Sequence, residues 1–213
     1  MKINISQLVI GKIVGLMLLS VFLISCGTTG VKKVSKTSGK VINKPDKIEA
    51  IDPTSFSGTD QSRYRQARDY LNSADYKRAE RVLIQLAQKY AGHFGVRLNL
   101  ATSFYQQGQF EQALTHCEAA LAIDDTIAQA HNLRGLIAVK NKQFKTAENK
   151  YQKAIAIDKS YANAHYNLAL LYDIYYQDID KAYLSYQQYL RLVPDDKTTA
   201  DWLEQLKFSL EQK

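Results

Sequence analysis

Cysteine and proline are both scarce in this 213-residue chain, with two of the first and three of the second, and tryptophan occurs once. Two cysteines, Cys26 and Cys117, cannot build a disulfide framework. Pro45 and Pro53 fall in one polar stretch, and Pro194 stands alone near the end. No apolar run is long enough to span a bilayer, which takes about 20 residues; the run at residues 13–25 has 13. Also missing are a glycine-rich phosphate loop, a nucleophile elbow and paired catalytic carboxylates, so no catalytic signature is legible. A one-signed basic stripe of the kind nucleic-acid binders carry is lacking as well. The formal charge is +7, but the densest basic cluster (Arg63, Arg65, Arg68, Lys77, Arg78, Arg81) is interleaved with Asp60, Asp69, Asp75 and Glu80. It reads as a solvated helical face, with contact to anionic headgroups or another protein as the alternative.

The start of the chain is organised around the short apolar run. Lys2 and Lys12 precede it, Ser25 supplies a small residue at its end, and Cys26 follows. That order is the order of a secretory signal. Leu23, Ile24, Ser25 and Cys26 together resemble the bacterial lipobox. The resemblance implies a signal peptide at residues 1–25, cleavage before Cys26 and a lipid on its sulfur and amine. Gly27 in second place, by the same resemblance, implies the outer membrane rather than inner-membrane retention. The expected location is therefore lipid-anchored and periplasm-facing, in a Gram-negative bacterium. Removing residues 1–25 takes away Lys2 and Lys12 and no acid, so the charge falls to about +5 over the remaining 188 residues.

Residues 26–59 carry Phe56 as their one aromatic and are rich in Lys, Ser, Thr and Gly. Such a composition cannot bury a core and reads as a lipidated tether. Its span is roughly 30 Å at random and near 110 Å stretched. Val41 with Ile42, and the stretch from Ile48 to Ile51, offer an extended segment able to dock on the folded domain.

All fourteen tyrosines lie beyond residue 60, and there a period appears. Ala79, Ala113 and Ala147 recur at one even spacing; Ala67, Ala101 and Gly135 keep step with them, as do Tyr76, Phe110 and Phe144. A fourth unit continues the register through Ala169, but Ala182 falls one position later than the period puts it, so one residue is inserted. Self-similarity of this kind marks stacked helical units, none of which buries its apolar face alone. Small residues at Ala67, Ala101, Gly135 and Ala169 allow close helix crossings, and rings at Tyr70, Phe104 and Tyr172 fill the space between units. Asn72, Gly108, Asn141 and Gln177 sit where the first helix of each pair must stop.

Residues 60–196 resemble tetratricopeptide repeats (TPR), whose helix-turn-helix unit has this period. The match is fullest in the second unit, with Leu100, Ala101, Phe104, Gly108, Phe110, Ala113, Ala120 and Leu121. The fold expected is an all-α TPR solenoid of four helix-turn-helix units, residues 60–93, 94–127, 128–161 and 162–196. A capping helix at residues 197–213 closes it, with Trp202, Leu203, Leu206 and Leu210 on one face. His131 and His165 occupy one repeat position where the family prefers a ring, and Cys117 a core position, so packing is their expected role.

The resemblance implies a concave groove lined by the first helices. Carried over residue by residue, its lining is Tyr64, Arg68 and Leu71 in unit one, and Leu98, Thr102 and Tyr105 in unit two. Units three and four contribute Asn132, Leu136 and Val139, then Tyr166, Leu170 and Asp173. The lysine and asparagine clamp by which chaperone-binding members hold a C-terminal carboxylate is not matched, so a segment with apolar anchors is the expected ligand. The sequence thus points to a non-enzymatic envelope scaffold similar to pilotin-type lipoproteins of type IV pili. Accessory proteins of TonB-type energy transduction, adaptors for cell-wall hydrolases and a self-associating structural protein are the alternatives. No metal, cofactor, nucleic acid or small-molecule substrate is expected, only the lipid on Cys26 and a partner from the envelope.

Overall fold

The computed structural model describes residues 56–212. The leader expected at residues 1–25, the lipid site Cys26 and the tether as far as residue 55 lie outside the described residues. Helices follow one another in pairs: α1 (Gly58–Asn72) with α2 (Tyr76–Lys89), α3 (Phe94–Gln106) with α4 (Phe110–Ile123), and α5 (Ala128–Lys140) with α6 (Phe144–Ile157). The fourth pair is α7 (Ala162–Leu170), extended by a π-helical turn over Leu171–Tyr176, with α8 (Ile179–Leu192); α9 (Lys197–Glu211) packs on α8. Among the described residues there is no strand, and no helix is long and apolar enough to cross a membrane.

Short polar side chains set where these helices begin. Asp75, Asp178 and Asp196 cap α2, α8 and α9, accepting from the amides of Arg78, Lys181 and Thr199 at 3.2, 3.1 and 3.2 Å. Asp124 and Asp158, one repeat apart, close the loops between units by accepting from the amides of Thr126 and Ser160 at 2.9 and 2.8 Å. The hydrogen bonds from Thr126 hold the Asp124 carboxyl below its ordinary range.

Each first helix ends in the same way. Ala74, Gly108, Lys142 and Gln177 adopt left-handed φ angles of 59°, 76°, 58° and 55°. The next amide then reaches back five residues in the first three units: Asp75 to Tyr70, Gln109 to Phe104 and Gln143 to Ala138, at 2.8, 2.9 and 2.8 Å. This double-backed closure satisfies carbonyls that the helix end would orphan. In unit four Asp178 reaches back six residues, to the Tyr172 carbonyl at 2.9 Å. The additional residue is the insertion seen in the sequence, and it is taken up as a π turn inside the first helix.

Packing follows the small-residue register. An added Cβ on Gly135 would lie 2.5 Å from Cε1 of Tyr151, a ring buried between the two helices of unit three. The corresponding pairs are Ala67 with Leu83, Ala101 with Cys117 and Ala169 with Tyr186; all six side chains are buried. The first helix keeps a small residue at each crossing whatever the size of its partner, and the crossing stays close.

The first described residue belongs to the core. Phe56, placed in the tether by composition, is buried and stacks on His93 at 4.4 Å, with Tyr90 edge-on at 4.8 Å and Tyr64 at 4.9 Å. Beside it Asp60, also buried, gathers Lys89, Arg63 (3.3 Å), the Tyr90 hydroxyl (2.9 Å) and the Ser57 hydroxyl (3.1 Å). The Lys89 ammonium and the Tyr90 hydroxyl hold its carboxyl far below the usual carboxylate range. Helix α1 is thereby fastened to the end of α2.

Two outcomes follow. Gly135→Ala should stabilise a helix by about 0.5–1 kcal/mol on propensity alone; against Tyr151 it is expected to cost about 1–3 kcal/mol instead. Adding Tyr151→Leu, which recreates the unit-one pair, is expected to make the double variant more stable than the two single changes predict, in a thermal double-mutant cycle. Asp60→Asn is expected to lower Tm at neutral pH. A depressed folded pKa stabilises above the unfolded value and loses that contribution as pH falls, so the gap from wild type should narrow between about pH 5 and pH 2.

Candidate protein-binding groove

First helices touch first helices. α1 packs on α3, α3 on α5 and α5 on α7, whereas the second helices of adjacent units do not reach one another among the described residues. The stack therefore curves with α1, α3, α5 and α7 on its inner side.

The structure divides the twelve residues that the sequence assigns to this lining. Tyr64, Leu98, Asn132 and Tyr166 share one repeat position and are all buried; Tyr64 and Asn132 meet the next first helix, and Tyr166 packs on α8. There Asn99 donates to the Tyr64 hydroxyl at 2.9 Å, and Asn167 donates to Asn132 Oδ1 at 2.8 Å. Asn132 in turn donates to the Tyr161 hydroxyl at 3.2 Å, and Tyr166 lies against the rings of Tyr189 and Tyr186 at 5.0 and 6.1 Å. Leu71 and Tyr105 are buried too, the latter beside Phe110 at 5.6 Å. These six belong to the packing of the solenoid and not to an open surface.

The other six remain half-exposed. Arg68, Thr102, Leu136 and Leu170 form one row, one per repeat, running from cationic through polar to apolar along the stack. Val139 and Asp173 flank its far end. Thr102 uses its hydroxyl on the Leu98 carbonyl of its own helix, at 3.0 Å. Asp173 accepts from the Tyr186 hydroxyl at 3.2 Å, and burial pushes its carboxyl above the usual range. Leu136, Val139 and Leu170 rest on one apolar cluster that includes Tyr166, Leu168 and Tyr172.

The π turn adds exposed apolar side chains at the unit-four end. Its Ile174, Tyr175 and Tyr176 are exposed to 47%, 42% and 39%, three large apolar side chains in succession. The backbone beneath them is fixed through Glu148 on α6, a buried carboxylate that accepts from the Tyr172 and Tyr176 hydroxyls at 2.8 and 3.4 Å and from Lys145 at 2.9 Å. Burial opposes that charge, but Lys145 and the Tyr172 hydroxyl outweigh it and the pKa ends below the ordinary value. Tyr175 packs on Phe144 at 4.5 Å. The late arrival of Ala182 in the repeat register is the sequence signal for this turn.

Histidines and the second cysteine sit in packing roles. The Nε2 atoms of His131 and His165, at equivalent positions, lie 2.9 and 3.0 Å from the carbonyls of Asp125 and Lys159 in the preceding loops, so Nε2 carries the hydrogen in both. His116 stacks on Phe104 at 5.4 Å. Cys117 is buried, with Sγ 3.3 Å from the Ala130 carbonyl, and burial pushes its thiol up to about 12. No group of three or more His, Cys, Asp or Glu among the described residues is placed to hold a metal ion.

Comparison with known proteins agrees with this architecture. Family profiles described as tetratricopeptide repeat and TPR repeat match residues 70–137 and 135–172. No curated protein sequence matches the chain. Among solved structures, PilF of Pseudomonas aeruginosa is similar with a TM-score of 0.65 at 18% identity, over 72% of this chain and 69% of that one. A thermophilic TPR protein of Thermus thermophilus gives 0.62 at 21% identity, over 70% and 81%. The first TPR domain of Spaghetti (RPAP3) bound to an HSP90 peptide gives 0.52 at 19% identity, over 55% and 95%. At these identities the likeness is one of fold. Tetratricopeptide repeats are thus matched over residues 70–172, and the fold of residues 56–212 is a TPR α-solenoid with a closing helix.

Proposed function

We propose that this protein is a membrane-anchored scaffold that binds a segment of another cell-envelope protein along the inner side of its solenoid and supports assembly of an envelope complex. A TPR solenoid is suited to protein–protein interaction, and the structural neighbour carrying an HSP90 peptide is an instance of such a fold holding a peptide. The single observation that carries the reading here is the half-exposed apolar row of Leu136, Val139 and Leu170. Side chains of this kind on a concave face supply anchors for a partner's apolar residues. The role is non-catalytic, since binding alone accounts for what this face offers. The anchor is the lipid on Cys26, motivated by the run ending Leu23, Ile24, Ser25, Cys26. Such an anchor would hold the scaffold on the periplasmic face of the outer membrane, in the manner of pilotin-type lipoproteins. The fold shared with PilF is compatible with that assignment.

The binding and anchoring parts are testable separately. Leu136→Ala with Leu170→Ala is expected to lower Tm while leaving the protein folded, because both are part-exposed side chains that rest on the apolar cluster, and to abolish crosslinking to the envelope partner in membranes. An unfolded double variant would assign both leucines to the core, and a folded variant that still crosslinks would move binding off this face. Cys26→Ala is expected to block incorporation of labelled palmitate and leave the unprocessed chain in the membrane fraction. Palmitate entering that variant would refute the anchor.

A further inference from the structure

Charge is spread unevenly along this chain. Seven of its 28 Lys and Arg residues precede Asp46, but none of its 21 Asp and Glu residues does, so residues 46–213 are formally neutral. Lys2 and Lys12 fall in the expected leader. The other five, Lys32, Lys33, Lys36, Lys40 and Lys44, fall between Cys26 and Pro45, a stretch without acid, arginine or aromatic ring. All the excess charge of the anchored chain thus lies directly beside its lipid site. In the solenoid, the helix that follows first in the chain with a basic outer surface is α2. Phe56, the first described residue, lies 4.8 Å from Tyr90 at the end of that helix, and the exposed charged residues of α2 are Lys77, Arg78, Arg81 and Lys89. Its one acid, Glu80, is half-buried and accepts from the Gln107 amide at 2.7 Å. Arg78 pairs with Asp75 at 3.3 Å and Lys89 with Asp60. Lys77 and Arg81, both exposed, stand one helical turn apart. Asp69, the exposed acid of unit one, is on α1.

We propose that Lys32, Lys33, Lys36, Lys40 and Lys44, continued by Lys77 and Arg81 of α2, seat this protein on the anionic phospholipid headgroups of the bilayer that holds its lipid. The proposal rests on the anchoring role given above. A lipid beside a cluster of lysines is a two-signal membrane attachment, and each lysine close to an anionic surface strengthens it by about fivefold. Lysine suits such a surface, being a compact, hydrated point charge that needs no shaped partner. Single-stranded nucleic acid is held on stacking rings and arginine planes, which residues 26–45 lack. The consequence is positional. With these lysines on the headgroups, the free reach of the chain is only that from Pro45 to Phe56, at most about 40 Å, against near 110 Å for the whole stretch. Unit one is then kept close to the bilayer, where the outer surface of α2 can settle on it.

The test uses the full chain, expressed in a Gram-negative host, purified from its membranes and placed on vesicles of neutral phosphatidylcholine or of a two-to-one mixture with phosphatidylglycerol. Amine labelling is then followed lysine by lysine in a mass spectrometer. The expected result is that the five lysines and Lys77 label about fivefold or more slowly on the anionic vesicles and recover at high salt, whereas the exposed Lys159 and Lys207 label alike on both. Equal labelling of the five lysines on the two kinds of vesicle would overturn the proposal. Protection of the five without Lys77 would overturn the part given to α2. Protection in native membranes that anionic vesicles do not reproduce would assign the lysines to an acidic protein and overturn the lipid contact. The anchor is read independently, from the acyl mass on the Cys26 peptide: a chain without that mass that still shows the protection loses the anchor and keeps the lysine contact.

Discussion

One close crossing, repeated in every unit, is the constraint from which the rest of the structure follows. In unit three the Gly135 backbone lies so near the Tyr151 ring that not even a methyl group fits between them. That proximity fixes the angle between the two helices of a unit. The angle in turn decides which face of each first helix meets the next unit, and so which side chains are left for the inner surface. Units differ in how they fill the crossing, from a cysteine to two tyrosines, yet each keeps a small residue on the first helix. A small residue kept on one side lets four dissimilar partners stack in one register.

Much of this was legible in the sequence, because an even period held across several units is a global signal that survives local substitution. The pairing of helices, the closing helix and the packing roles of Cys117, His131 and His165 all follow from residue type at a repeated position. The turns were harder to read. Only Gly108 advertises a left-handed residue, while Ala74, Lys142 and Gln177 adopt the same conformation because tertiary closure imposes it. The displaced Ala182 announced an insertion but not its location. A residue added to an α-helix rotates everything after it by about 100°; confining it to the π turn keeps α8 in phase with the stack.

The groove was legible only in part, for a physical reason. Repeat position tells which way a side chain leaves its helix, but not how closely the next first helix approaches. Tyr64, Leu98, Asn132 and Tyr166 point inward along the stack and are covered by their neighbours, through contacts such as Asn99 with Tyr64 and Asn167 with Asn132. What stays open is the adjacent row, and its gradient from Arg68 to Leu170 emerges only once the covered row is removed. Phe56 was missed because composition averages over a window, whereas a single ring at the edge of a core needs just three aromatic neighbours to be held.

That ring has a mechanical consequence. Among the described residues Phe56 comes first, and a pull on it is delivered to the stack with His93 and then to the Asp60 and Lys89 pair. Both contacts join α1 and its entry strand of chain to the far end of unit one, and they load as a clasp rather than as a zipper. Both contacts lie in unit one, whereas Leu136 and Leu170 lie in units three and four, so the clasp and that surface share no residue.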